Sequence, residues 1–237
     1  MTIRRTVAPF FALALLSAAP LAAQTGSRAV DTKTSVFLAG GNAYTVAPTG
    51  GGGVAPVAVN LDPGTGRILT VSATGAATFC PNGLCGTTSP DGPSIGGTAL
   101  NGTGSLSGIS AGTSGFLAGV FLGAGLPGSA PASLNFNAIG TDFTTFAPLI
   151  GQVFFIGNGQ TSGGVTQQFF VPDAATRLFF GIADGGSFQG NPGFYDDNVG
   201  TYNANFTISA VPEPSTWLLV GSGLATLAVV ARRRRAT

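Results

Sequence analysis

The stretch Thr201-Tyr-Asn-Ala-Asn-Phe-Thr-Ile-Ser-Ala210 decides the fold. Tyr202, Ala204, Phe206 and Ile208 alternate with Asn203, Asn205, Thr207 and Ser209. A period of two places the first set on one face and the second on the other, so this is a strand with one buried and one wet face. Working back, Phe116–Leu122 is apolar on both faces and reads as a central strand. Ser133–Ile139, Gln152–Ile156, Val165–Val171 and Thr176–Ala183 are further strands, each bounded by glycine, proline or aspartate. Val36–Val46 has strand character broken by Gly40-Gly41-Asn42. Val54–Leu61 and Arg67–Ala73 flank the turn Asp62-Pro63-Gly64 as a hairpin or a sheet corner. Pro48–Gly53 is a glycine loop, Thr25–Thr34 a polar lead-in, and Thr87–Thr113 a long surface loop or a series of loosely packed short strands. Short strands, frequent turns and almost no helical periodicity before residue 211 predict an all-β, antiparallel, jelly-roll-like β-sandwich over 24–210. No fixed repeat supports a solenoid.

Composition narrows the function. The chain has 38 glycines, no histidine and only 8% charged residues, yet 18 phenylalanines, more aromatic burial than a disordered chain carries. Between Gln24 and Ala210 four basic side chains (Arg28, Lys33, Arg67, Arg177) face eight aspartates. A mildly acidic surface without basic patches gains no counterion-release affinity, so nucleic acid is excluded as a partner.

Both ends carry addresses. Arg4 and Arg5, the apolar run Val7–Leu16 and Leu21-Ala22-Ala23 make a Sec-type signal peptide over 1–23, which implies the Sec translocon as a partner and an oxidising destination. There Cys80 and Cys85, separated by Pro81-Asn82-Gly83-Leu84, are expected to close a short disulfide loop worth about 2 kcal/mol at most. At the other end, Val211-Pro212-Glu213-Pro214 blocks helix entry, and Thr216–Ala231 is uncharged. Arg232, Arg233, Arg234 and Arg235 follow. Sixteen helical residues span roughly 24 Å, short of the roughly 30 Å hydrocarbon core. Trp217 at one interface and snorkelling arginines at the other make this a short transmembrane helix with the arginines cytoplasmic.

That tail, 211–237, resembles the PEP-CTERM sorting tail of bacterial surface and exopolysaccharide-associated proteins. The resemblance implies an exosortase-type membrane peptidase that cuts near the motif. It also implies an inner-membrane anchor, and delivery to the cell surface or extracellular matrix after processing.

Chemistry concentrates between Ala183 and Gly200, which holds Asp184, Asn191, Asp196, Asp197 and Asn198 among glycines. Oxygen-rich, nitrogen-poor ligands suit a hard cation such as calcium, and a plain Asx-rich turn is the alternative. A second resemblance rests on Leu69–Phe79, Ser89-Pro90-Asp91-Gly92, Leu178–Asp184 and Pro192–Tyr202. These runs are similar to the calcium-dependent galactose-binding lectins of bacteria, a small jelly-roll sandwich, with a long insertion here around Ser129–Gly164. The resemblance implies calcium held by the side chains of Asp184, Asp197 and Asn198 and the carbonyls of Phe79 and Phe194. The family's sugar contacts include a histidine, and this chain has none.

Enzyme signals are thin. Gly123-Ala-Gly125-Leu-Pro-Gly128 lacks a following helix and is a turn. Neighbouring Asp196 and Asp197 on a turn or strand point apart. The expectation is a non-enzymatic envelope or matrix protein that binds glycan or exopolysaccharide. A polysaccharide hydrolase with a carboxylate pair and a purely structural surface protein are the alternatives.

Overall fold

The computed structural model describes residues 23–80, 86–94, 96–210 and 216–234. Residues 1–22 of the signal peptide, Cys85, Val211, Pro212, Glu213, Pro214 and Arg235 lie outside the described residues.

The described chain is all-β in class, with three sheets where a two-sheet sandwich was expected. The first contains β1 (Gln24–Asp31), β3 (Arg67–Thr78), β8 (Thr145–Phe146), β10 (Gln168–Val171) and β13 (Val199–Ala210), in the order β1-β13-β3-β10-β8. The second contains β2 (Val59–Asn60), β6 (Leu117–Leu122), β9 (Val153–Phe155) and β11 (Arg177–Ile182), in the order β2-β11-β6-β9. The third contains β4 (Thr98–Leu100), β5 (Ile109–Ala111), β7 (Leu134–Asn135) and β12 (Gln189–Gly190), in the order β12-β4-β5-β7. Most ladders are antiparallel, but β10–β8, β12–β4 and β5–β7 are parallel, so the expected purely antiparallel pairing is corrected.

The first two sheets meet through aromatic rings. Phe206 of β13 lies 5.9 Å from Phe180 of β11, and Phe169 of β10 lies 5.3 Å from Phe154 of β9, which stacks on Phe121 of β6. Each such pair adds about 0.5–1.5 kcal/mol to its area burial. As the alternation predicts, Tyr202, Ala204, Phe206 and Ile208 are buried, and every residue of β6 is buried between neighbours β11 and β9.

Three local expectations fail for identifiable reasons, and a fourth, hairpin or sheet corner, resolves to the corner. Thr25–Thr34 is no lead-in, because β1 runs antiparallel to β13 from Gln24↔Ile208 to Asp31↔Thr201. Its polar sequence hid a strand whose partner is a backbone ladder, with Gly26 leaving room for the Phe206 ring, which a Cβ there would meet at 2.5 Å. Val36–Gly41 is a 3-10 turn, since Gly40 and Gly41 take φ of +66° and +82°, where no strand continues. Within Ser133–Ile139 only Leu134–Asn135 is strand; the side chain of Asn135 accepts from Asn137 N and starts the short helix α1 (Phe136–Ile139). The segments around Asp62-Pro63-Gly64 form a corner, with β2 pairing to β11 and β3 to β13 and β10.

That corner is pinned by Arg67, only 2% exposed at the start of β3. Its guanidinium donates to Asp62 O (2.6 Å), Pro172 O (3.1 Å), Asp173 O (3.3 Å) and Ala175 O (2.9 Å). One cation thereby ties the turn before β3 to the turn between β10 and β11.

Beyond the sheets, helix α2 (Thr216–Arg234) contains Trp217 and ends on Arg232, Arg233 and Arg234. Among the described residues no helix is long and apolar enough to cross a membrane. The transmembrane helix expected over Thr216–Ala231 is therefore not supported by the described residues, because the uncharged run stops at Ala231 and the helix goes on into Arg232–Arg234.

Candidate functional site

The site lies where β11 hands over to β13. Past Ile182 the chain makes a 3-10 turn at Gly186–Phe188, pairs briefly as β12, makes a second 3-10 turn at Tyr195–Asp197 and enters β13. Ser187 (φ 53°), Phe188 (φ 58°) and Phe194 (φ 63°) are the non-glycine residues with positive φ among the described residues, and all three are here. Left-handed backbone at such residues costs of order 1 kcal/mol each and persists only where surrounding contacts enforce it.

The enforcing contacts come from the glycine loop after Pro48. Phe194 N donates to Thr49 O (2.7 Å), Tyr195 N to Gly51 O (3.2 Å) and Asp196 N to Gly50 O (3.2 Å). A Cβ on Gly50 would stand 3.1 Å from Phe194 Cα and one on Gly51 3.2 Å from Asp196 N, so the run of glycines is what lets the two backbones touch. Two tyrosines complete the clamp. The fully buried Tyr195 hydroxyl accepts from Asp184 N (3.2 Å) and donates to Ile182 O (2.9 Å). The Tyr44 hydroxyl bonds Ser35 Oγ and Gly52 O.

Asp184 and Asn198 meet inside this clamp. Asp184 is 3% exposed and Asn198 fully buried. Asn198 Nδ2 donates to Asp184 Oδ2 (2.7 Å) and to Thr32 O (3.0 Å), and Gly185 N donates to Asp184 Oδ1 (2.7 Å). Asn198 Oδ1 is buried with no hydrogen-bond partner. Burial pushes the Asp184 carboxyl up to about 7; the bonds from Asn198 and Gly185 oppose this, and the charge of Asp197 adds to it. Asp197 is also raised, by burial and by Asp196, with Lys33 opposing.

The donor set suits a hard cation. A carboxylate removed from water beside an orphaned amide oxygen is an electrostatic conflict that a positive charge resolves. Among the described residues no group of three or more His, Cys, Asp or Glu side chains comes together. Any cation here therefore relies on amide and backbone oxygens beside Asp184 and Asp197, as calcium accepts. The structure brings Asp184 and Asn198 into contact and sets Asp197 within electrostatic reach of Asp184. It places the Phe79 ring edge-on to Phe188 at 6.0 Å, and Phe194 at the second turn, 39% exposed. Cys80 is disulfide-bonded, and Cys85 lies outside the described residues.

Sequence reasoning missed Thr32, Tyr44, Tyr195 and the Thr49–Gly51 backbone. The one signal available was the density of glycines after Pro48, which marks close backbone approach without saying to what.

Residues 210–235 match the PEP-CTERM protein-sorting motif. No curated protein matches the chain. Among solved structures, the fold is weakly similar to one described as "EclA N-terminal domain; PllA-like lectin". That likeness is at 18% identity and a TM-score of 0.34, over 77% of this chain and 95% of that chain.

Proposed function

We propose that this is an exported, surface-sorted, non-enzymatic protein whose β-domain binds glycan at a calcium-holding loop formed by Asp184, Asp197 and Asn198. The orphaned Asn198 Oδ1 beside the buried Asp184 carboxylate is the observation that carries the reading. Calcium, when bound, supplies a positive charge to which vicinal saccharide hydroxyls can add as ligands. The chain's own part is to hold Asp184 and Asn198 rigidly through Tyr195, Thr32 and the Thr49–Gly51 backbone, with Phe79 and Phe194 carbonyls as further ligands. The half-exposed Phe194 ring beside the loop offers an apolar face to a sugar.

On a glycan array, the detergent-solubilised full chain is expected to bind in calcium and to lose the signal in EDTA or on Asp184→Ala. An array blank in both conditions would end the glycan reading.

For delivery, the sorting motif supports export through the Sec translocon, anchoring by α2 in the inner membrane, and processing by an exosortase-type peptidase. Leu224 and Leu227, 63% and 66% exposed on α2, are apolar side chains that a lipid or protein environment would cover. Arg232–Arg234 at its end favour a cytoplasmic C-terminus. In a host with an exosortase, intact-mass measurement of the surface form should show loss of Trp217 and the arginines. Their retention would rule out processing and leave the anchor.

A further inference from the structure

We propose a second binding site, an extended groove for an uncharged polysaccharide chain, running over the outer face of the first sheet and around Gln160 into the cleft at Asp91. It shares no lining residue with Asp184, Asp197 or Asn198.

The outer face of three strands begins it. Register aligns Thr25, Thr207 and Thr70 in one row across β1, β13 and β3, and Ser27, Asn205 and Ser72 in the next. These side chains floor a cleft of about 550 Å³. One wall is the turn that carries Gln160 and Thr166, joined by a bridge between those two residues. That turn lies directly across β3, where Ala73 N donates to Asn158 O (3.0 Å). The approach requires glycine at 159, because a Cβ there would stand 1.8 Å from Val71 O.

Gln160 also lines a second cleft, of about 410 Å³. There Asp91 Oδ1 accepts from Asn158 N (2.8 Å), and Asp142 accepts from Ser162 N and Oγ. Both carboxylates are thus held in place by the insertion that carries Gln160. The two clefts have the volume of ligand sites, and both border Gln160, where the proposed path passes from one to the other.

The chemistry of that path selects its occupant. Hydroxyls and amides both donate and accept, and they lie beside apolar surface from Val71, Phe206 and Phe155, a mixture that matches the hydroxyls and the C–H faces of a polyhydroxylated chain. Among the described residues lining the two clefts there is no Lys or Arg, while Asp91 and Asp142 repel anions. A long path with small, repeated polar contacts suits a polymer, whose successive units add weak contacts, better than a single sugar.

The test titrates the full chain, in a polyoxyethylene detergent and EDTA, with dextran, hydroxyethylcellulose and galactomannan, with alginate as the polyanion, and with glucose, galactose and mannose. At least one neutral polymer should bind, with alginate and the monosaccharides failing. Gln160→Ala and Asn205→Ala, both at exposed positions, should each weaken binding about fivefold or more, as expected for one lost hydrogen bond. Circular dichroism checks that both variants fold. Four outcomes overturn the groove: no neutral polymer binds; both variants bind as before; a monosaccharide or alginate binds as well as the polymers; or binding appears only with calcium. The last would assign the polymer to the loop. Binding in EDTA with a calcium-independent, blank glycan array would keep the groove and remove the loop.

Discussion

Stripped of divalent cations, the protein should lose stability as the pH rises from about 4 to about 7, and calcium should restore it above pH 7. The Asp184 carboxyl titrates near 3.8 when unfolded and at about 7 when folded. Between those values the folded state keeps a proton that the unfolded state has released, so stability is full below the lower value and falls through the upper. Three pH units at 1.36 kcal/mol each make the loss about 4 kcal/mol. Asp197, also raised, acts in the same direction. Calcium takes the ionised carboxylate, and at 100 times its dissociation constant it adds about 2.7 kcal/mol. Urea denaturation of the full chain across this range, with EDTA or with calcium, reads both arms, and Asp184→Asn should flatten the EDTA profile. A wild-type profile that is already flat would mean the carboxylate is not desolvated as described, and an unmoved midpoint in calcium would remove the cation.

Arg67→Met should cost about 3 kcal/mol, although methionine fills most of the volume. The substitution leaves three carbonyls, those of Asp62, Asp173 and Ala175, without the donor that now serves them, while Pro172 O keeps its bond from Ala175 N (2.8 Å). Even about 1 kcal/mol for each unsatisfied acceptor reaches that total. Arg28→Ala is the control, since Arg28 is exposed and bonds only the adjacent Ser27 carbonyl; it should stay within about 0.5 kcal/mol. The comparison is a denaturant midpoint at unchanged slope. A loss below about 1 kcal/mol for Arg67→Met would show that water reaches those carbonyls freely.

What was legible followed side-chain period. β13, β6, β11 and β9 announce themselves because their alternation or continuous apolarity is a direct record of which faces are covered. β1 does not, because an edge strand with Gly26 and few apolar residues is held mainly through its backbone, which leaves no compositional trace. The third sheet was legible only as the alternative of loosely packed short strands in Thr87–Thr113, since β4 and β5 lie among Gly, Ser and Thr without the continuous apolar run that marks the equally short β9. In the site, the Asp and Asn residues were visible as a cluster and through a family resemblance. Their support was not, since the Thr49–Gly51 clamp joins segments far apart in the chain through main-chain atoms alone. Arg67 looked like an ordinary strand residue, and only the fold reveals that it is buried among carbonyls.

The pairing of β1 with β13 also sets an order of events. A chain exported from its N-terminus delivers Gln24–Asp31 first, yet the ladder these residues complete needs Thr201–Ile208, delivered last. Contacts of such high sequence separation carry the largest closure entropy and form late. Ala210, the final residue of β13, is also the first residue of the sorting match. The barrier to a finished domain is therefore crossed only as the sorting signal itself arrives. Until then the leading strand is an open edge, exposed to wrong partners, and its threonine, serine and arginine serve as a solubilising guard during that wait.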